Sequence, residues 1–335
     1  MIIDLHTHVV PEDFPPVGGR PAGDLWPSMA PQPDDGSGVA RSNVMISGRN
    51  FRTVADRCWS VARRIKELPR TGADRQVLSP MPELLAYRLE PDDGLALGRY
   101  LSEVIVRMME EAPDRFYGLG AVPLQDVELA CKELSHVKAL GLHGVEILTN
   151  VQGVSPGDAR FLPFFKEAEA LGMAVFIHSQ HPTFTDRIVG PGSWANAVGF
   201  PMEAALAAAS LIGGGAQDAC PHQRVCKSHR GGSLVQMLPR MDYFHNVGIG
   251  GGQQLAHPPS GYAKRLYYDD IFFNNQALRL LIDTVGVSQV VVGSDYPFQW
   301  RPWTPEEEFA ELGLTAAERE AVGSANCLRF LGLAD

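Results

Sequence analysis

The sequence predicts an α/β chain folded as one (β/α)8 barrel. Short apolar runs alternate with segments of helical periodicity, and there are eight such runs, the number that closes a parallel sheet on itself. Histidines and an aspartate also recur at the C-terminal ends of those runs, where barrels of this kind carry their chemistry. A length of 335 residues suits one large barrel.

Residues 1–10 read as a buried strand ending in His6-Thr7-His8. Side chains two apart on a strand share a face, so the two imidazoles point together, the spacing that two neighbouring metal ligands need. Residues from about 11 to 50 are rich in Pro, Gly and Asp and show little apolar periodicity, which predicts a loop-rich insertion leaving the end of that strand, placed to roof a site. Helical periodicity then begins near Thr53, runs through Val54, Cys58, Val61, Ala62 and Ile65, and is expected to stop at Pro69. Further strands are predicted at 75–80, 116–122, 144–148, 173–178, 224–229, 266–269 and 290–295, with helices at 92–111, 127–140, 158–171 and 201–212 between them.

Composition narrows the class. A hydrophobic fraction of 45% supports a sizeable core, and no apolar run is expected to be long enough to cross a bilayer. A formal net charge of -10, with no Lys/Arg run, argues against a nucleic-acid or anionic-membrane partner. Cys58, Cys131, Cys220, Cys226 and Cys327 are odd in number and contain no C-x-x-C pair, which predicts reduced thiols. The first strand begins at residue 1 with no signal-like segment ahead of it, so a cytosolic protein is expected.

Four residues lie where a barrel carries its chemistry: His6 and His8 on the first strand, His178 at the end of the fifth and Asp295 at the end of the eighth, with His229 ending the sixth. Taken singly, His178 could be a polar strand end beside His181, and Asp295 could cap the turn into Tyr296-Pro297. Taken together, three imidazoles and a carboxylate around an open position describe a catalytic zinc site, with another divalent transition metal as the variant. His136, His143, His222, His245 and His257 fall on helices, loops or the opposite rim and are expected to be non-catalytic.

At this point the chain resembles a known family. The stretches Ile3-Asp4-Leu5-His6-Thr7-His8, Phe51-Arg52, Arg115-Phe116 with Gly118-Leu119-Gly120, Val198-Gly199-Phe200-Pro201, Arg224-Val225-Cys226 with His229, and Gly293-Ser294-Asp295-Tyr296-Pro297-Phe298 are similar to those of the amidohydrolase superfamily. Within it the likeness is to the aminocarboxymuconate semialdehyde decarboxylase branch. The resemblance implies zinc held by His6, His8, His178 and Asp295, with His229 as an unligated catalytic histidine and Asp295 also moving a proton. It further implies that Arg52 and Arg240 bind substrate carboxylates, Arg240 being donated by the neighbouring subunit of a homodimer. Two stretches depart from the family pattern. Arg230 follows His229 where glycines are usual, bringing a guanidinium beside the site, and Ser193-Trp194-Ala195-Asn196 is less aromatic than its counterpart, leaving Trp194 as the expected substrate-binding residue there.

The implied activity is a zinc-dependent, non-oxidative decarboxylation of a small unsaturated or aromatic polycarboxylic acid. An amidohydrolase or lactonase and a hydratase remain alternatives, since a site of this type can direct water at a carbonyl or a double bond. A non-catalytic binding protein would have no use for the histidine at position 229.

Overall fold

The computed structural model describes all residues except 17–22, 24, 251–254, 272, 299–302 and 335. Its strands are β1 (Ile3–Val9), β2 (Ser28–Pro31), β3 (Arg41–Ile46), β4 (Arg49–Ala55), β5 (Arg75–Pro80), β6 (Phe116–Gly118), β7 (Gly144–Leu148), β8 (Ala174–His178), β9 (Val225–Lys227), β10 (Tyr267–Asp269) and β11 (Val290–Val291). The helices are α1 (Val61–Thr71), α2 (Pro91–Glu111), α3 (Val127–Ala139), α4 (Leu162–Ala170), α5 (Phe200–Gly213), α6 (Ala216–Ala219), α7 (Leu234–Val247), α8 (Pro259–Ala263), α9 (Asn275–Val285), α10 (Pro305–Glu311), α11 (Ala316–Glu320) and α12 (Asn326–Leu331).

Eight strands run parallel in two arcs, β1-β5-β6 and β7-β8-β9-β10-β11. Hydrogen bonds close both seams. Gly120 N donates to Gly144 O and Glu146 N to Gly120 O, each at 2.9 Å, while Leu5 N donates to Val292 O at 2.8 Å. The barrel interior is filled by Ile3, Leu5, Val77, Leu119, Ala174, Phe176, Cys226, Tyr267 and Val291, and Phe330 of α12 packs against the same cluster. Helix starts are fixed locally: the Asp126 carboxylate caps α3 by accepting from Leu129 N at 2.9 Å, and Asn274 caps α9 by accepting from Ala277 N at 2.8 Å.

One irregularity matters for the site. Between Asp4 and Thr7 the register of β1 on β5 slips, three residues of β1 spanning two of β5. Leu5 therefore packs into the barrel interior while His6 and His8, of opposite parity, also turn inward above it.

The insertion differs from expectation. Instead of loop alone it holds an antiparallel sheet in the order β2-β3-β4. Its last strand occupies residues that were expected to open a helix, and α1 starts only at Val61, capped by Ser60. Nor does Pro69 stop α1: it lies in the last turn, where it removes a single hydrogen bond, and Gly72 in the left-handed conformation ends the helix instead. The segment Ala195–Gly213 is long and apolar enough by composition to span a bilayer, against expectation. It is a barrel-covering helix, however, with Ala204, Ala205, Ala207, Ala208, Leu211 and Ile212 buried against the core.

Gly293, at the exit of β11, leaves no room for a side chain: a Cβ there would stand 2.9 Å from the Cβ atoms of both His6 and Asp269. Gly293→Ala is expected to lower stability by about 1–3 kcal/mol, the usual range for overpacking. It should also weaken metal retention by displacing His6, which thermal unfolding and metal analysis of the same sample will read.

Candidate active site

The sequence-predicted histidines and aspartate meet at the C-terminal mouth of the barrel. His6, His8, His178 and Asp295 are all buried, and one donor atom from each lies within 4.8 Å of the others. The two imidazoles of β1 bring their Nε2 atoms to 3.0 Å, and Asp295 Oδ1 stands 3.2 Å from His8 Nε2 and 3.7 Å from His6 Nε2.

The opposite nitrogen of each ring is fixed by an acceptor. His6 Nδ1 donates to Asp269 Oδ2 at 2.7 Å, His8 Nδ1 to Pro80 O at 3.1 Å and His178 Nδ1 to Ser179 O at 2.9 Å. A proton held on Nδ1 leaves the Nε2 lone pair of each ring facing the common centre. His178 Nε2 is buried there with no hydrogen-bond partner. Three inward lone pairs, one carboxylate and a buried nitrogen left unsatisfied fit a divalent transition metal, and this is a metal-binding site.

The electrostatics follow from crowding. Burial pushes His8 down to about 4 against the pull of Asp295, and pushes His178 well below its ordinary value, with the neighbouring imidazoles adding to the effect. Burial also opposes charge on His6, but the Asp269 carboxylate outweighs it and raises His6 to about 9. Asp295 would be raised by burial, yet its hydrogen bond to His8 and the surrounding imidazoles hold it below the usual carboxylate range.

His229 lies in the one-turn helix that follows β9, its ring centroid 5.2 Å from that of His178 and 5.3 Å from that of His6. It is not one of the four grouped donors, and its Nε2 is buried without a hydrogen-bond partner. Burial and the charge near His6 lower its pKa, which favours the neutral, proton-accepting ring. The backbone around it is strained: His229, Arg230 and Asp295 have φ of 49°, 58° and 61°.

Asp269, which sequence reasoning passed over, holds that strain. Its Oδ2 accepts from His6 Nδ1 and from His229 N at 2.9 Å, while Oδ1 accepts from Arg230 N at 3.0 Å and Ile271 N at 3.2 Å. One buried carboxylate thereby orients a metal ligand and the histidine beside it. The available signal was an aspartate ending a barrel strand. Glu146 and Glu83 were also missed. Glu146 is fully buried 3.9 Å from His8, and burial raises it to about 8.

A cavity of about 470 Å³ opens above the metal site, with His178 and Asp295 among its lining residues and Arg52, Arg57, Glu83, Gln180 and Phe298 also around it. Arg52 reaches it from β4, its guanidinium 4.3 Å from the centre of the Phe298 ring, which in turn stacks on His8. The other expected residues are not brought there. Trp194 lines a separate apolar groove on the outside of the molecule and is 44% exposed. Arg240 is exposed on α7, over the ring of Phe244. Arg230 does not project a guanidinium into the cavity: its Nη1 donates to Asn274 O at 3.3 Å, because the left-handed turn at 229–230 sends the side chain toward α9.

Asp269→Asn should cost about 10–100-fold in metal affinity, the range for carboxylates that orient ligating histidines. Competitive titration with a chelator will measure it, and retention of wild-type affinity would show that the Nδ1 contact does not govern His6.

The amidohydrolase family model matches residues 3–333. The 2-amino-3-carboxymuconate-6-semialdehyde decarboxylase of Dictyostelium discoideum is 35% identical to this chain, over 99% of it and 91% of the relative. Among solved structures, the 5-carboxyvanillate decarboxylase of Sphingomonas paucimobilis superposes with a TM-score of 0.74 at 26% identity, covering 81% of this chain and 82% of its own. The dihydroxybenzoic acid decarboxylase of Polaromonas sp. JS666, solved with manganese and 2-nitroresorcinol, shares the fold with a TM-score of 0.72 at 24% identity, over 81% of this chain and 85% of that one. With the model spanning nearly the whole sequence and the barrel carrying its donor set at the strand ends, the chain belongs to the amidohydrolase family.

Proposed function

We propose that the protein is a zinc-dependent, non-oxidative decarboxylase of a small unsaturated or aromatic acid bearing at least two acidic groups, related in substrate to 2-amino-3-carboxymuconate-6-semialdehyde. The observation that carries this is a cavity with two unlike regions: Arg52 in its wall, and the His178 and Asp295 donors at the metal site. Sequence likeness to a decarboxylase over 99% of the chain supports it. Zinc is the choice for a set of three imidazoles and one carboxylate. When bound, the cation would polarise a substrate oxygen and acidify water in its open position.

The chain's own residues supply the rest. Arg52 binds a substrate carboxylate that is not lost, as a permanently charged guanidinium suited to two-point contact. His229 Nε2, unpaired and uncharged, accepts a proton from the group at the metal and returns it later. Asp295, ionised at rest, first takes a proton from the water or substrate group in the cavity and relays it to the substrate carbon: the carbon–carbon bond breaks, its electron pair stays on that carbon, carbon dioxide leaves, and the proton joins the carbon. The insertion belongs to the same unit as the barrel in this reading, because β4 supplies Arg52.

The working unit is a homodimer in which Arg240 enters the partner's cavity. Support comes from the surface next to α7: Val198, Met202 and Leu206, spaced four residues apart, are 38%, 50% and 47% exposed, and Met237 is 39% exposed beside them. Such an apolar stripe suits an isologous contact that would repeat the same reach at both cavities.

Incubation with 2-amino-3-carboxymuconate-6-semialdehyde should release carbon dioxide, and zinc-loaded protein that forms product without it would overturn the reading. His229→Ala is expected to keep its metal and lose about 10²–10⁴-fold in turnover, whereas loss of metal would make His229 a ligand. Mixing Arg240→Ala with His229→Ala chains, each inactive alone, should restore activity through mixed dimers. Exchange of subunits without recovery would refute the contribution in trans.

A further inference from the structure

Arg52 does not meet the cavity as an isolated cation. Its Nη2 donates to Glu83 Oε1 at 3.4 Å, and both residues line the cavity. Glu83 belongs to the short turn Pro82–Leu85 that follows β5, at the mouth of the barrel. Its side chain is 7% exposed against 34% for that of Arg52, and its Oε2 is sealed from solvent without a hydrogen-bond partner. Other charges act on this carboxylate from several elements: Arg88 beyond the same turn, which donates to the Glu83 carbonyl at 3.1 Å, Glu146 on β7 and Asp295 in the loop after β11. Burial raises the Glu83 carboxyl above its ordinary value. The Arg52 charge, the backbone amide of Glu83 and the Gln180 amide draw it down, and Asp295 pushes it up again.

A carboxylate that docks on Arg52 must therefore share one guanidinium with Glu83. Two carboxylates around one cation leave an uncompensated negative charge inside the cavity, and Asp295 adds to the repulsion. Like charges that share a buried site do not both stay ionised, and the pair as a whole takes a proton. The proton goes to the member with less solvent and fewer hydrogen bonds, because its ion is the costlier one to keep. That member is Glu83, since the docking acid meets the more exposed side of Arg52 and the water of the cavity. Its proton enters at Oε1, the oxygen that Arg52 relinquishes, so the sealed Oε2 needs no contact with the ligand.

We infer that Glu83 is an exchangeable counter-ion: an acid that binds Arg52 enters the cavity together with one proton, which Glu83 holds for as long as the acid is bound. The wall is neutral in both states, with Arg52 balanced by Glu83 when the cavity is free and by the ligand when it is filled. This rests on the decarboxylase reading for the role of Arg52 and adds to it a control of binding by pH. Because binding raises the pKa of Glu83, affinity is greatest below the free value, where Glu83 is already protonated. It falls as pH rises from the free to the bound value, by about tenfold per pH unit where a whole proton is taken up.

Calorimetric titration of benzene-1,3-dicarboxylate into the metal-loaded protein, in buffers of equal pH and different ionisation enthalpy, counts the protons exchanged. A series from about pH 5 to about pH 9 should find the wild type taking up at least about half a proton more than Glu83→Gln, which keeps the shape of the side chain and cannot ionise. At the alkaline end Glu83→Gln should bind the probe about tenfold more tightly than the wild type, the effect of one pKa unit. Infrared difference spectra should show the carbonyl band of a protonated carboxyl on binding to the wild type and not to Glu83→Gln. Arg52→Leu should weaken the probe about tenfold or more. Metal content and thermal unfolding of each variant establish that it is folded, and the buffer dependence of the wild type needs no variant. Equal uptake by the wild type and Glu83→Gln would place the proton on the ligand or at the metal site and overturn the inference. Binding without proton exchange, absence of binding, or unchanged affinity in Arg52→Leu would overturn it as well. Because binding is read without turnover, uptake that depends on Glu83 in a protein releasing no carbon dioxide would refute the decarboxylase reading alone, and carbon dioxide release without such uptake would refute the inference alone.

Discussion

Three imidazoles and a carboxylate buried within 4.8 Å of one another form an arrangement that burial opposes at every member. What holds it is the seam where the first strand meets the last. Leu5 N to Val292 O, Asp295 N to His6 O at 2.9 Å and His8 N to Tyr296 O at 2.7 Å join residues nearly the full chain apart. That seam closes the barrel and in the same stroke sets Asp295 against the two histidines of β1. The site and the fold's closure are one structural fact, so a disturbance such as a side chain at position 293 strikes both.

The order enforced there is local in cost and distant in support. Positive φ at His229, Arg230 and Asp295 would relax in an isolated loop. Here the strained amides at 229 and 230 are tied to the Asp269 carboxylate, which is also bound to His6. Arg64 performs a related task one layer below. Fully buried on α1, it donates to the His8 carbonyl and lies 5.0 Å from the Tyr296 ring centre, linking the helix that follows the insertion to the ligand strand and to the loop that carries Asp295. Metal ligands are thus held from two sides by groups whose own conformations depend on the closed barrel.

Much of this was legible in the sequence because it is written locally. All eight barrel strands announce themselves as short apolar runs, and the histidines and Asp295 stand at or beside their ends. The sheet of the insertion was not legible: in β4 only Val54 is buried, so the alternation that marks a half-buried strand is missing. The helix after it was read too early because Val54, Cys58, Val61 and Ile65 mimic a helical stripe across three different elements. Asp269 and Glu83 were missed for another reason. Their importance lies in partners far along the chain, His6 and Arg52, and no spacing in sequence encodes a contact between distant strands. Trp194 shows the converse case: it lies in a groove outside this cavity, and an aromatic side chain in a matching stretch says nothing about which side of its backbone faces the metal donors.

The insertion also explains why the cavity is asymmetric. The barrel alone would supply a metal site and a ring of strand ends, a scaffold compatible with many reactions. β4 brings Arg52 across the mouth, Phe298 supports its guanidinium from the loop after β11, and Glu83 meets it from the turn after β5. Three elements distant in sequence build one charged wall, and the loop after β11 ties it to the metal donors: it carries Asp295, whose carbonyl accepts from Phe298 N at 2.9 Å, and its Phe298 ring stacks on His8. An acid and a base 3.4 Å apart thus form one side of the cavity and the metal donors another, the insertion supplying the guanidinium and the barrel the donor set.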